Sequence, residues 1–345
     1  MKETKTIILA AGKGTRMRSK HAKVLHRICG KSLVDHVIRA NHQAGIEAIA
    51  VIVGYQAQAV RDALPDAIET FEQAEQLGTG HAVAQALPFI EDFDGNVLIL
   101  VGDAPLVRPE TLRGLIEAHE AGGFAATVLT AHFDDPTGYG RIVKDGGALR
   151  KIVEERDASA AERAITEINS GMYCFDAAAL REALAAIQPN NAQGEYYLTD
   201  SIEILRRAGK TVGSYPTPDF EDIVAVNSKG QLAEAAAIMR RRINAYWLAA
   251  GALIVDPANT YLSCDTQIGR DAVIEPGVVT EGRVIIGEDA LIGSGSRLTE
   301  AMIGEGAVVM LSTVSYAAIG RSSVLQSYSY TAFSPHLSTF ETIIP

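Results

Sequence analysis

The sequence predicts an α/β fold with a mostly parallel sheet, followed by a short left-handed parallel β-helix. Short apolar runs, Ile7 to Leu9, Ala48 to Val53 and Val97 to Val101, alternate with stretches of helical apolar spacing. That alternation is the mark of strand-helix-strand units whose sheet is covered on both faces. The first and third runs end in Gly12-Lys13-Gly14 and in Gly102-Asp103, and open parallel sheets hold their ligands beyond such carboxyl ends. After Gly251, Ile268, Ile274, Ile286, Ile292 and Leu298 fall on a six-residue period that only Thr280 interrupts, and Ile-Gly pairs stand at Ile268, Ile286, Ile292, Ile303 and Ile319. Each coil of a β-helix buries one such aliphatic rung against its neighbours.

The chain of 345 residues, 47% of them hydrophobic, can bury one large core or two domains. Its net charge of -11 argues against a general nucleic-acid or membrane-surface binder. Against that background, Lys13, Arg16, Arg18, Lys20, Lys23, Arg27 and Lys31 form a cationic run containing no acid. Glycines that let backbone amides approach oxygens, beside Lys and Arg, suit a polyanion, although a glycine loop after a strand also serves as a plain turn. Met17 stands where a dinucleotide fingerprint needs its third glycine, and no Walker A loop is present. Cys29, Cys174 and Cys264 are far apart with no C-x-x-C, which predicts reduced thiols in a cytosol. The apolar core Ile7 to Ala11 is too short for a signal peptide, and no stretch is long enough to span a membrane.

In chain order, Leu33, Val37, Ile38 and Ala44 mark a helix, Ala48 to Val53 a buried strand closed by Gly54, and Ala57 to Leu64 and Ala82 to Leu87 further helices. Gln73 to His81, Q-A-E-Q-L-G-T-G-H, is a polar loop feeding the helix that begins near Gly80. Thr79 or Gln76 in it can serve as helix caps, and His81 suits a structural hydrogen bond better than catalysis. Asp103, where V-L-I-L-V-G-D-A-P-L leaves its strand, can hold a metal ion or open a turn before Pro105. Beyond Ala125 to Leu129 come P-T-G-Y-G-R-I-V from Pro136, V-E-E from Val153, E-I-N-S-G from Glu167 and G-E-Y-Y-L-T-D from Gly194. By themselves Glu154 and Glu195 read as surface acids and Asn227 as a helix cap. Leu232, Ala236, Met239 and Ile243 mark a connector helix with Arg240 to Arg242 on its solvated side. The expected domains are 1–227, a linker helix 228–250, a β-helix 251–321 and an atypical tail 322–345 in which the hexad stops.

L-A-A-G-K-G-T-R-M from Leu9 to Met17, followed by A-K-V-L from Ala22, resembles the signature of sugar nucleotidyltransferases, and in particular the bacterial N-acetylglucosamine-1-phosphate uridyltransferases. Ala22 replaces a proline usual in that family. The resemblance implies a Rossmann-like nucleotidyltransferase domain that transfers uridylyl from UTP to N-acetylglucosamine 1-phosphate, giving UDP-N-acetylglucosamine and pyrophosphate with Mg2+. It assigns Leu9, Ala10, Ala11, Gly12, Lys23, Gln73, Gly78 and Thr79 to the nucleotide. Gly102, Gly140, Glu154, Asn169, Tyr197 and Thr199 go to the sugar, Asp103 and Asn227 to the metal, and Arg16 and Lys23 to catalysis. It further implies a homotrimer built through the β-helix.

Related bifunctional enzymes carry acetyltransferase residues in later coils; here the only histidine after His132 is His336, so acetyl transfer is expected to be absent. Three rivals remain: a nucleotidyltransferase for another sugar 1-phosphate, a non-catalytic nucleotide-sugar-binding subunit, and a dehydrogenase, which the missing glycine disfavours. The segment Q-A-E-Q-L-G-T-G-H-A and the N-S-G motif favour uridine and the N-acetyl sugar, and the retained charges favour an enzyme.

Overall fold

A computed structural model describes residues 2–332 and divides into two compact units. The first contains the chain up to His26 and Ser32–Gln231; the second contains Arg27–Lys31 and the chain from Leu232 onward.

The first unit is organised on a nine-stranded sheet. Strand β1 (Thr4–Leu9) is followed by helix α1 (Leu33–Gln43), whose start is fixed by a capping box between Ser32 and Asp35. Then come β2 (Ile49–Val53), β3 (Glu69–Glu72), α2 (Thr79–Ala84), β4 (Asn96–Val101) and α3 (Pro109–Gly122). Further along come β5 (Ala126–His132), the hairpin β6 (Arg141–Asp145) and β7 (Ala148–Val153), β8 (Glu167–Asp176), α4 (Ala177–Ala186), α5 (Asp200–Arg207) and β9 (Val212–Pro216). The strand order is β9-β5-β8-β4-β1-β2-β3. β1 pairs in parallel with β2 and β4, β2 with β3, and β9 with β5, while β8 runs antiparallel to β4 and β5. Because the chain leaves β1 for β2 on one side and returns to β4 on the other, the carboxyl ends of β1 and β4 flank a topological switch point.

Alternate residues of the central strands feed two cores. Ile8, Val51, Leu98 and Leu100 pack with Val34, Val37 and Ile38 of α1 and Leu112, Leu115 and Ile116 of α3. Ile7, Ile52, Val97 and Ile99 pack with Val83 of α2, Leu180 of α4 and Ile202 and Leu205 of α5. A sheet buried on both faces requires continuous apolar strands, which is why these read as unbroken aliphatic runs.

In the second unit, three parallel sheets stack as the sides of the β-helix. Ile268, Ile286, Ile303 and Ile319 form one column, and Ile274, Ile292, Val309 and Leu325 another. The repeat leaves strict six-residue phase after Leu298 because the later coils are shorter. It nevertheless continues past Arg321, where the sequence reading ends it: Val324–Leu325 pairs with Val308–Val309, and Tyr330–Ala332 with Thr313–Ser315. The rest of the expected tail, with His336, lies outside the described residues. Thr280, the interruption of the hexad, is buried beneath Leu298. Its hydroxyl is satisfied there by the Ser263 amide at 2.8 Å and the Thr266 hydroxyl at 2.6 Å.

The linker expectation also changes. Helix α6 (Lys229–Ala249) buries Ala235 and Asn244 and packs Ile243, a member of the expected stripe, with Trp247 against the β-helix core, while Leu232, Ala236 and Met239 of that stripe are half-buried. Most of it belongs to the second unit. Arg240, expected on the solvated side, stacks over the Tyr261 ring at 4.7 Å. Arg27–Lys31 joins this unit too, through the Cys264 amide on the Cys29 carbonyl (2.9 Å) and a Lys31–Asp265 ion pair (2.8 Å). The cationic run is therefore split, and its last two members belong to the second unit. Among the described residues no helix is long and apolar enough to cross a membrane.

Candidate active site

Beyond β1 the chain passes through buried Ala10 and Ala11 into exposed Gly12. A Cβ at Gly12 would meet nothing within 4 Å, so bare backbone faces open space there. Gly14 needs its glycine for two reasons: φ is +60°, and a Cβ would lie 2.7 Å from the Cβ of Lys23. The loop thus closes directly onto the stem of Lys23. Met17, 1% exposed, anchors the short turn Thr15–Met17, which leaves Arg16 exposed on it. Gln56 ties the loop's far end by donating to the Lys20 carbonyl at 2.6 Å. Ala22, where the family has proline, is buried with φ -55°. Proline would hold the same angle, so alanine keeps the geometry without the covalent restraint.

The centre of the site is Lys23. Its ammonium donates to the Asp103 carboxylate and, at 3.0 Å, to the Asn227 amide oxygen. Only 14% and 13% of the Lys23 and Asp103 side chains are exposed, so this pair acts at lower dielectric than a surface ion pair. Asp103 follows Gly102, whose amide donates to the Leu9 carbonyl at 2.9 Å and locks the ends of β1 and β4 together. Asn227 is delivered by the segment after β9: the Val226 amide donates to the Asp103 carbonyl at 2.8 Å, and the Asn227 amide to Gln231 Oε1 at 2.9 Å. One carboxylate and one amide oxygen thus converge on a single cation. Among the described residues no cluster of three or more His, Cys, Asp or Glu side chains is assembled for a metal. Mg2+ with phosphates and waters in its shell needs only one or two protein oxygens, so this donor set fits that ion.

The polar loop before α2 is zipped to the segment before α5. The Gly80 amide donates to the Tyr196 carbonyl at 2.7 Å and the Tyr196 amide to the Leu77 carbonyl at 2.8 Å. The Thr79 hydroxyl accepts from the Leu198 amide at 3.0 Å. Gly78 has φ +113°, and a Cβ there would lie 2.5 Å from the Tyr196 carbonyl oxygen, so no side chain fits. Gln73 is buried and donates to the Gly78 carbonyl at 3.0 Å. His81 is occupied by hydrogen bonds with Gln73 and Gln85 at 3.1 and 3.2 Å, a structural role as expected from the sequence.

Gly140, Glu154 and Asn169 are brought together. A Cβ on Gly140 would be 3.4 Å from both Glu154 Oε1 and Asn169 Cβ, and the Asn169 amide donates to the Gly140 carbonyl at 2.8 Å. The register of β8 against β5 shifts between Asn169 and Tyr173, and Gly171 there takes φ +79°, so the N-S-G motif is a bulge that re-aims Asn169. Burial, reinforced by the charges of Asp157 and Asp200, raises the Glu154 carboxyl above its ordinary range. Tyr197 and Thr199 are buried on the zipped segment; burial, then Asp157 and Glu195, push the Tyr197 phenol up to about 12. Thr199 stands at the N-cap of α5 without capping it. Tyr139 was not singled out from the sequence. Its phenol is raised by burial and by the Asp103 charge, with Arg16 opposing. The only signal for it was its position inside P-T-G-Y-G-R.

The nucleotidyl transferase family model matches residues 5–253, and the bacterial transferase hexapeptide model of six repeats matches residues 265–300. The bifunctional protein GlmU of Geobacillus sp. (strain WCH70) is 48% identical over 94% of this chain and 71% of its own length. This chain belongs to the GlmU family of nucleotidyltransferases. GlmU of Clostridioides difficile (strain 630) is 46% identical over 94% of the chain and 71% of that relative. GlmU of Alkaliphilus metalliredigens (strain QYMF) is 45% identical over 96% and 73%. A Bacillus anthracis protein described as a glucose-1-phosphate thymidylyltransferase, solved with sucrose, superposes with TM-score 0.57 at 19% identity, covering 68% of this chain and 94% of its own. That likeness concerns the fold alone.

Proposed function

We propose that this chain transfers the uridylyl group of UTP to N-acetylglucosamine 1-phosphate, releasing pyrophosphate and forming UDP-N-acetylglucosamine. The observation that carries the reading is the Lys23 ammonium held between Asp103 and Asn227 at the switch point of the sheet. The attacking oxygen belongs to a phosphate already ionised at neutral pH, so no general base is required. What the chain must supply is alignment for in-line displacement and neutralisation of growing charge.

Lys23 meets the phosphates at the reacting centre, and Arg16, exposed on the glycine loop, takes the β and γ phosphates and the departing pyrophosphate. Open backbone at Gly12 leaves room for their oxygens. Asp103 and Asn227 would hold Mg2+, which when bound supplies Lewis-acid stabilisation of phosphate charge. Gln73, Gly78 and Thr79 read the uracil. The Gly140, Glu154 and Asn169 cluster, with Tyr197 and Thr199, receives the sugar hydroxyls and acetamide.

Pyrophosphate release with Mg2+ tests this, crossing UTP, CTP, dTTP, ATP and GTP against N-acetylglucosamine 1-phosphate and glucose 1-phosphate. Release confined to UTP with the N-acetyl sugar is expected. Release with another pair would move the specificity residues, and silence with retained nucleotide binding would promote a non-catalytic role. The absence of acetyl transfer is proposed on the observation that the described β-helix, residues 251–332, carries no histidine. Acetylation of glucosamine 1-phosphate by acetyl-CoA would refute it.

A further inference from the structure

Asp222 lies outside the site yet is a fully buried carboxylate, with a side-chain exposure of 0%. It sits in the short turn Phe220–Ile223, a few residues before Asn227. Its oxygens accept from Arg108 Nε at 2.8 and 3.1 Å and from the Thr111 hydroxyl. Arg108 also reaches Asp219 at 3.1 Å, at the head of the same turn. Arg108 and Thr111 belong to the start of α3, reached from Asp103 by a short connection. The two strips of chain that carry the converging oxygens are therefore joined twice: by the Val226 amide on the Asp103 carbonyl, and by the Asp222 carboxylate on Arg108 and Thr111. A buried carboxylate with several charge-assisted donors tolerates little displacement, because any movement leaves it unpaired in an apolar setting.

We propose that the Arg108–Thr111–Asp222 cluster is a positioning device, setting the segment from Asp219 to Asn227 so that the Asn227 amide oxygen stays beside the Asp103 carboxylate. The inference rests on the proposed role of those two oxygens in holding the metal. None of the three residues touches the reacting groups; they act through Asn227.

Two readouts test it on the full chain. Thr111→Val keeps the shape and removes one donor to Asp222, and Asp222→Asn keeps the size and removes the charge. In each variant, native-state hydrogen exchange at the Val226 amide should accelerate about tenfold or more, with amides of the central strands unchanged. The half-saturating Mg2+ concentration for pyrophosphate release should rise severalfold, with KM for UTP at saturating Mg2+ little altered. Combining Thr111→Val with Asn227→Ala should give no further rise over Asn227→Ala alone, because the cluster works through that one oxygen. Unchanged exchange at Val226 would overturn the proposal, as would faster exchange with an unaltered Mg2+ response in Thr111→Val, or fully additive effects. A wild-type Mg2+ response in Asn227→Ala alone would instead remove the metal assignment. The exchange measurement would then still decide whether the cluster fixes the segment, and a slack segment with intact metal response would end the positioning role.

Discussion

At the level of single residues, two side chains have consequences that can be measured apart from each other. Arg16 is exposed on a turn anchored by Met17, so Arg16→Ala should leave thermal unfolding unaltered. Losing one preorganised charge at a phosphate commonly costs on the order of a hundredfold in rate, and a drop of that size in kcat is expected from steady-state pyrophosphate release. An unchanged rate would take Arg16 out of the mechanism. Glu154 behaves in the opposite sense. Its carboxyl is raised by burial and by Asp157 and Asp200, so above the ordinary carboxylate range the folded state retains protons that the unfolded state has lost. Stability therefore falls as pH rises from about the usual glutamate value of 4.5 through the raised folded value. Glu154→Gln should move the denaturation midpoint upward at pH 7 and leave it nearly unchanged at pH 4, while weakening the KM for the sugar phosphate. A midpoint shift of equal size at both pH values would show that the charge is not what costs stability.

At the level of elements, the β-helix is set by what its turns exclude. Gly269, Gly287 and Gly304 stand one coil apart, and a Cβ on each would meet the backbone of the following coil at 2.4, 2.5 and 2.6 Å. Those neighbours are main-chain atoms and cannot swing aside, so the coils must separate to admit even a methyl group. Gly287→Ala should destabilise the second unit by about 1–3 kcal/mol, the usual range for overpacking, read as a lower unfolding midpoint. The Ile-Gly pairs in the sequence thus report two constraints at once, an aliphatic rung inside and a bare turn beside it. Other elements differ in how much local signal they carry. Helix α3 begins with Pro109 and ends at Gly123 with φ +58°, the asymmetry of proline just inside a helix start and glycine just past its end. Strand β3, E-T-F-E, is short, at the sheet edge and hardly apolar, and no periodicity marks it.

At the level of the molecule, the second unit leaves Leu253, Val255, Met302, Leu311, Tyr316 and Val324 exposed. Exposed aliphatic and aromatic side chains of this kind are available to meet another chain. The hexapeptide repeats point to oligomerisation, and we propose a homotrimer; light scattering at micromolar concentration should give three times the chain mass of 36.7 kDa, and a monomer would count against it.

What the sequence determined alone were features written in neighbouring residues: buried strands as aliphatic runs, the glycine loop, and the β-helix as a period of six. Each is enforced by local geometry, so each survives without knowledge of what lies opposite. Tertiary structure decided what depends on residues distant in the chain. Lys23 finds Asp103 and Asn227 at separations of 80 and 204 residues, and no spacing rule connects them. The family signature named these three residues, but only the fold showed two oxygens converging on one cation. Arg27–Lys31 belongs to the second unit, where Asp265 and the Cys264 amide hold it. Asp222, an unremarked acid in F-E-D-I, became the fixed point of a segment because burial leaves a carboxylate no alternative to its donors.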